Sequence, residues 1–209
     1  MRFKIFFIFL IFFFIFSAHN TFCSDIDTVL SEVEQNMGNV KTIQGVFVQK
    51  KQMAMFDTPV TIYGKLYIQK PDKFAWVVTD PIEYTMIVTE KTIKKWDKSN
   101  GTQSLSLKEN PMFKEIVNQI TFWFSGTYSS CKNDYDIFLI KDDLIILEFI
   151  PKPHNPAAKM LTKITLVFQE DRKYLSRILL LEKNNDVTEI IFKDVKINSK
   201  IDRSVWDIK

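Results

Sequence analysis

Val60-Thr61-Ile62-Tyr63-Gly64-Lys65-Leu66-Tyr67-Ile68-Gln69 is the stretch from which the fold is read. Val60, Ile62, Gly64, Leu66 and Ile68 fall on one side of a two-residue repeat, and Thr61, Tyr63, Lys65, Tyr67 and Gln69 on the other. That period marks a strand with one face turned to a core. Met160, Thr162, Ile164, Leu166 and Phe168 alternate in the same way with Leu161, Lys163, Thr165, Val167 and Gln169. Residues 46–53, 74–79, 84–89, 92–97, 103–107, 135–141, 144–150, 175–182 and 187–195 add further strands. Turn chemistry separates them, as in Asp57-Thr58-Pro59, Lys98-Ser99-Asn100-Gly101, Lys141-Asp142-Asp143, Gln169-Glu170-Asp171-Arg172 and Asn184-Asn185-Asp186. Links this short join antiparallel neighbours, so the expectation is a single large, curved antiparallel sheet with no internal repeat and no dividing linker.

Two stretches follow a helical period instead. Ile26, Val29, Leu30, Val33, Met37 and Val40 recur at three- and four-residue spacings, with Ser24 or Asp25 available as a cap. Asn110-Pro111 is a cap followed by proline at the first helical position, and Phe113, Ile116, Val117, Ile120 and Phe124 continue from it. Met112, Phe122 and Trp123 make this second helix apolar on more than one side. Two helices cannot tightly cover one face of so large a sheet, and segments such as 144–150 are apolar on both faces. The surplus leaves two readings: a core packed on itself, or an interior with room for an apolar guest.

Arg2 and Lys4 precede an unbroken run of twelve apolar residues, Ile5 to Phe16, and Ser17, Ala18, His19 and Asn20 follow. The run is short for a spanning helix and has the anatomy of a secretory signal peptide, here placed at 1–23, with a single domain at 24–209. Ser24 or Asp25 is then the first mature residue; an uncleaved anchor is the alternative. Acylation of Cys23 is disfavoured by Phe22, because lipoprotein processing takes a small residue at that place. With cleavage after Cys23, one of the two cysteines remains, Cys131, and no internal disulfide can form.

The chain has 28 basic and 25 acidic residues, a balance that argues against nucleic acid as the partner. One histidine, His154, remains after processing, so neither a His/Cys metal cluster nor a Cys-His dyad with a second histidine can be assembled. Gly-x-Ser-x-Gly, a phosphate-cradling glycine loop and HExxH are all missing. His154 sits in a proline-rich turn, and Asp142-Asp143 and Glu170-Asp171 fall in turns that face solvent. Carboxylate catalysis stays open on sequence alone, because spatial pairs of Asp and Glu are invisible in it.

Gly45-Val46-Phe47-Val48-Gln49, the segment from Gly64 to Trp76 with Lys70-Pro71-Asp72-Lys73-Phe74-Ala75-Trp76 at its end, and Asp80-Pro81 resemble the N-terminal half of the LolA family of periplasmic lipoprotein carriers. Ile87-Val88, Trp96-Asp97 and Pro111-Met112-Phe113 continue the resemblance. Ile150-Pro151-Lys152, Thr188-Glu189-Ile190-Ile191-Phe192 and Ile197-Asn198 extend it more loosely over nearly the whole mature chain. Gly64 to Trp76 is its specific part.

The resemblance implies an α+β fold: a half-open antiparallel β-barrel, a strongly curved sheet, covered by a helical lid over a hydrophobic cavity. It implies a monomeric periplasmic carrier without cofactor or catalysis. Its partners would be acylated lipoproteins, an inner-membrane release complex and an outer-membrane lipoprotein acceptor. Phe47, Leu66, Phe74, Trp76 and Trp96 are the expected cavity residues, Phe74 and Trp76 sharing one strand face by alternation. Phe113, Ile116, Val117 and Ile120 are the expected lid. An arginine before the motif's proline gates the lid in the family, by hydrogen bonds to lid backbone. Lys70 stands there in this chain, keeping the charge but losing the planar five-donor fork. The rival expectations are a LolA-like carrier of glycolipid or other lipid, a lipid-sensing regulator, or an enzyme acting on lipid or polysaccharide.

Overall fold

The computed structural model describes residues 25–89, 92–107, 111–141 and 144–207; the leader expected at 1–23, together with Asp142 and Asp143, lies outside the described residues. The first element is α1 (Asp25–Gly38), whose Val29, Leu30, Val33 and Met37 are buried on one stripe. Six strands follow: β1 (Thr42–Gln52), β2 (Val60–Gln69), β3 (Lys73–Asp80), β4 (Tyr84–Val88), β5 (Thr92–Asp97) and β6 (Gly101–Ser106). After α2 (Pro111–Ser125) come β7 (Tyr135–Lys141), β8 (Ile145–Pro151), β9 (Leu161–Phe168), β10 (Leu175–Glu182) and β11 (Val187–Ile197).

Among the described residues eleven strands form one curved, unclosed sheet in the order β6-β5-β4-β3-β2-β1-β11-β10-β9-β8-β7. Neighbours are antiparallel throughout. Each half is a run of hairpins, and the halves meet only where β1 pairs with β11. β6 and β7 are the free edges, so the barrel is half open, with the antiparallel sheet and helical cover that the sequence led one to expect.

β1 begins at Thr42, earlier than its alternation alone suggests. A register shift against β11 between Gln44 and Val46 interrupts the period there, while Ile43 still faces Ile197. Across the next ladder Phe47 stands opposite Gly64. A Cβ on Gly64 would lie 2.4 Å from the Phe47 ring and 2.3 Å from the Val77 carbonyl oxygen, so only glycine leaves the ring its place.

The helices cover the core face of the sheet. Phe122 of α2 meets Phe149 edge to face at 5.1 Å, and Phe124 meets Phe192 at 5.6 Å. After α2 a short 3-10 helix, Tyr128–Asn133, delivers the fully buried Tyr128 among Phe122, Phe149 and Phe168. Its hydroxyl donates to the Trp123 carbonyl at 2.6 Å, and burial pushes its pKa well above 10. No described helix is long and apolar enough to cross a membrane.

Candidate functional site

One row of cross-strand neighbours, Ile43, Ile68, Phe74, Val88, Ile93 and Leu105, runs from β1 to β6 on the core face. Ile43 and Ile93 are packed shut, 2% and 0% exposed. Between them, Ile68, Phe74 and Val88 are not fully covered by the helix above. They form the floor of a cavity of about 660 Å³ whose roof is Val117, Ile120 and Phe124 of α2. These three roof residues lie at spacings of three and four, one flank of the helix. A volume of this size falls within the usual range for small-molecule sites, and its interior is apolar while its rim carries Lys70, Asp72, Lys73 and Lys114.

Lys70, just beyond the end of β2, ties the roof to the rest of the molecule. Its ammonium donates to the Met37 carbonyl of α1 at 2.9 Å and to the Ser125 carbonyl of α2 at 3.3 Å. Both acceptors belong to the last turn of a helix, where carbonyls lack intrahelical partners and partial negative charge collects. Neither helix has a basic residue of its own in that turn. Lys70 thus supplies from the sheet the cation that two helix ends lack, and burial lowers its pKa from 10.5. Gly126 ends α2 at φ +80°, and a Cβ there would come within 2.6 Å of the Met37 Cβ. The two helix ends can therefore approach closely enough for one lysine to reach both.

The residues singled out in the sequence separate into four groups. Phe74, Val117, Ile120 and Lys70 line the cavity. Phe47, Leu66 and Trp76 belong to the neighbouring packed wall: Phe47 and Leu66 are each 1% exposed, and Phe47 stacks on Trp76 with ring centroids 3.7 Å apart. Phe74 and Trp76 do share a face, their centroids 6.0 Å apart. Trp96 is a correction. It alternates with the fully buried Ile93 and pairs with Thr85 and Thr102, which places it on the face away from the core. The side chains of Phe113 and Ile116 lie outside the described residues, although both belong to α2. Ile68, Val88 and Phe124 were not singled out as site residues; cross-strand register identifies the first two, and period alone cannot.

A second cavity of about 290 Å³ lies on the other flank of α2, between Gln119, Phe122, Cys131 and Tyr135. Burial raises the pKa of the Cys131 thiol from 9.0. His154 is exposed, with Nε2 3.3 Å from an Asp134 carboxylate oxygen. Among the described residues no group of three or more His, Cys, Asp or Glu is placed to hold a metal ion.

Residues 38–209 match the family model described as outer membrane lipoprotein carrier protein LolA. No curated protein sequence matches the chain significantly. Among solved structures it is similar to a conserved protein from Thermus thermophilus, at 10% identity and a TM-score of 0.53, over 87% of this chain and 91% of that one. It is also similar to a chain of the MucA/MucB complex of Pseudomonas aeruginosa, at 11% identity and a TM-score of 0.50, over 88% of this chain but only 61% of that one. A LolA superfamily protein from Nitrosomonas europaea aligns over 86% of this chain and 96% of its own, at 10% identity and a TM-score of 0.45. At such identities the likeness is one of fold.

Proposed function

The chain belongs to the LolA family, and from that premise we propose that it is a periplasmic carrier that takes the acyl chains of lipoproteins into the cavity beneath α2 and shuttles them from the inner to the outer membrane. The members of this family are carrier and binding proteins rather than enzymes, and they work in the periplasm. Residues 1–23 act as the export signal and 24–209 as one carrier domain. The carrier works as a monomer, loaded by an inner-membrane release complex and emptied onto an outer-membrane lipoprotein acceptor.

The observation that carries the reading is the 660 Å³ apolar space held under a helix whose end is fastened from outside by Lys70. Burying a methylene is worth about 0.8 kcal/mol, so an acyl chain needs cover to cross water. A carrier must also let go. A roof fastened by polar contacts that exist only when it is closed gives both properties, because those contacts oppose loading and favour discharge. Lys70 plays that part here: two charge-assisted hydrogen bonds join α2 to α1 through its ammonium, and lifting α2 breaks the one to Ser125. Phe74, Val117 and Ile120 touch the chains, while Phe47, Leu66 and Trp76 stiffen the wall behind them.

The test is mass analysis of lipid-extracted protein purified from the cell that exports it. Acylated polypeptides recovered in stoichiometric amount support the proposal. Free glycolipid would point instead to a carrier or sensor of other lipids, and an empty protein to neither.

A further inference from the structure

The sheet ends in two free edges, and they differ. β6 reads Gly101-Thr102-Gln103-Ser104-Leu105-Ser106, a glycine followed by polar residues at all but one position. β7 reads Tyr135-Asp136-Ile137-Phe138-Leu139-Ile140-Lys141, with four consecutive apolar residues at its centre. Edges are commonly blunted by a proline, a central charge or a bulge, and β7 has none of these: its register with β8 runs unbroken through seven pairs. Among the described residues no main-chain hydrogen bond other than those to β8 reaches residues 136–140. Both faces beside this edge are apolar. Ile137 and Leu139 pack toward the core, while Phe138 and Ile140 stand on the outer face, 49% and 41% exposed. Ile140 is opposite Ile146, and Ile150 of β8 lies diagonal to Phe138. Acids flank the apolar centre on both sides in the sequence, Asp134 and Asp136 before it, Asp142 and Asp143 after it, with Lys141 among them. Lys152 lies 3.6 Å from Asp136 and His154 3.3 Å from Asp134, so the balance at the strand ends stays acidic.

From this placement we infer that β7 is a docking edge for a partner protein, which adds to the sheet an extended segment with apolar residues at alternate positions and basic residues at its ends. Main-chain hydrogen bonds hold such a strand, and its alternating side chains select it. Its outward residues extend the strip of Phe138, Ile140 and Ile146, and its inward ones continue the row of Ile137 and Leu139. Lysine or arginine at either end answers the flanking acids. A second copy of this chain is the wrong occupant. Laid antiparallel with Phe138 on Phe138 or Leu139 on Leu139, the registers that match the apolar centres, it would bring Asp142 against Asp134 or Asp136. The edge also stands apart from the lipid cavity: Tyr135, its first residue, lines the smaller space on the other flank of α2. A docked strand therefore leaves the lining of the larger cavity untouched, and the inference is independent of what that cavity holds.

Fluorescence anisotropy with a labelled peptide of alternating valine and threonine between paired lysines tests this on the purified protein. The peptide should bind about tenfold more tightly than the same sequence N-methylated at each central residue, which cannot donate main-chain hydrogen bonds. A version with glutamates in place of the lysines should also bind more weakly, and that difference should shrink in about 1 M salt, where the Debye length falls to about 3 Å. A Phe138→Thr, Ile140→Thr double variant should lose affinity for the first peptide several-fold. Both positions are exposed, so its urea midpoint should stay as it was. Equal binding of the methylated peptide would reduce the contact to apolar adhesion and overturn the inference. Undiminished binding to the double variant would place the peptide elsewhere and overturn it too, as would failure of the first peptide to bind at low salt. Sedimentation that showed dimers of the unsubstituted chain, lost in the double variant, would give the edge to a second copy and sink the inference as well. None of these outcomes touches lipid loading, so each leaves the carrier reading to its own test.

Discussion

Phe47 lies almost flat on Trp76, the ring centroids 3.7 Å apart and the planes inclined by 23°, over the bare backbone of Gly64. The two aromatic side chains come from strands that are not neighbours in the sheet, with β2 between them. The wall of the cavity is thus welded through a gap that one missing side chain provides.

Gly64→Ala is expected to destabilise the protein by about 1–3 kcal/mol, the usual result of forcing an extra methyl into a filled core. The added carbon meets both the Phe47 ring and the Val77 carbonyl, and the backbone contact cannot be relieved by turning a side chain. Urea denaturation measures it. A midpoint equal to that of the unsubstituted protein would show that the stack can slide aside.

Lys70 makes a pair of opposite predictions. Lys70→Met removes both bonds to the helix ends and should shift the roof toward open by about tenfold, read as faster uptake and slower discharge of a bound lipid. Lys70→Arg keeps the charge and adds planar donors, so uptake should slow. Stopped-flow transfer of a fluorescent lipid distinguishes them; the same rate in both variants would remove Lys70 from the gate.

Acid should loosen the tip of the β1–β2 hairpin. The Asp186 carboxylate accepts from the Ala54 backbone N–H at 2.9 Å and lies 3.6 Å from the Lys51 ammonium. The Ala54 hydrogen bond, more than the lysine, holds its pKa below 3.8. A depressed carboxylate contributes stability that is fully present above 3.8 and disappears as pH falls through the lower folded value. Asp186→Asn keeps an acceptor but gains no proton, so its urea midpoint should fall less steeply between about pH 5 and about pH 2.

Filling the space should empty the carrier without unfolding it. Val117→Phe projects a ring from the roof into the 660 Å³ cavity and should reduce bound lipid several-fold while the thermal midpoint holds or rises. Lipid content per protein, with calorimetry on the same sample, checks both parts. Full loading of the variant would place the cargo elsewhere.

Strands such as β2 and β9 were legible because they set an apolar residue at nearly every second position, as Val60 to Ile68 do, and the hairpin turns between strands are chemically distinct. The site was only half legible. Aromatic residues near the motif drew attention to Trp96, yet parity with Ile93 turns it outward, and the face a strand buries is decided by its neighbours. Phe47 and Leu66 looked like lining because they are large and apolar, and those same properties let them pack solidly. The short helix holding Tyr128 has no period to betray it in six residues, although it carries the largest fully buried side chain. The bridge from Lys70 to two helix ends depends on where separate elements finish, which no local pattern encodes.

The pairing of β1 with β11 also sets an order of events. The first strand of the chain can find its second neighbour only once the last strand is present, so the seam between the halves is the contact of longest sequence separation and the slowest to close. A chain truncated before Val187 should leave the β1 margin of its N-terminal ribbon unpaired in addition to β6, open to proteases and to pairing with a stranger. Limited proteolysis of chains truncated before and after residues 187–197 would show protection arriving in one step with that final strand.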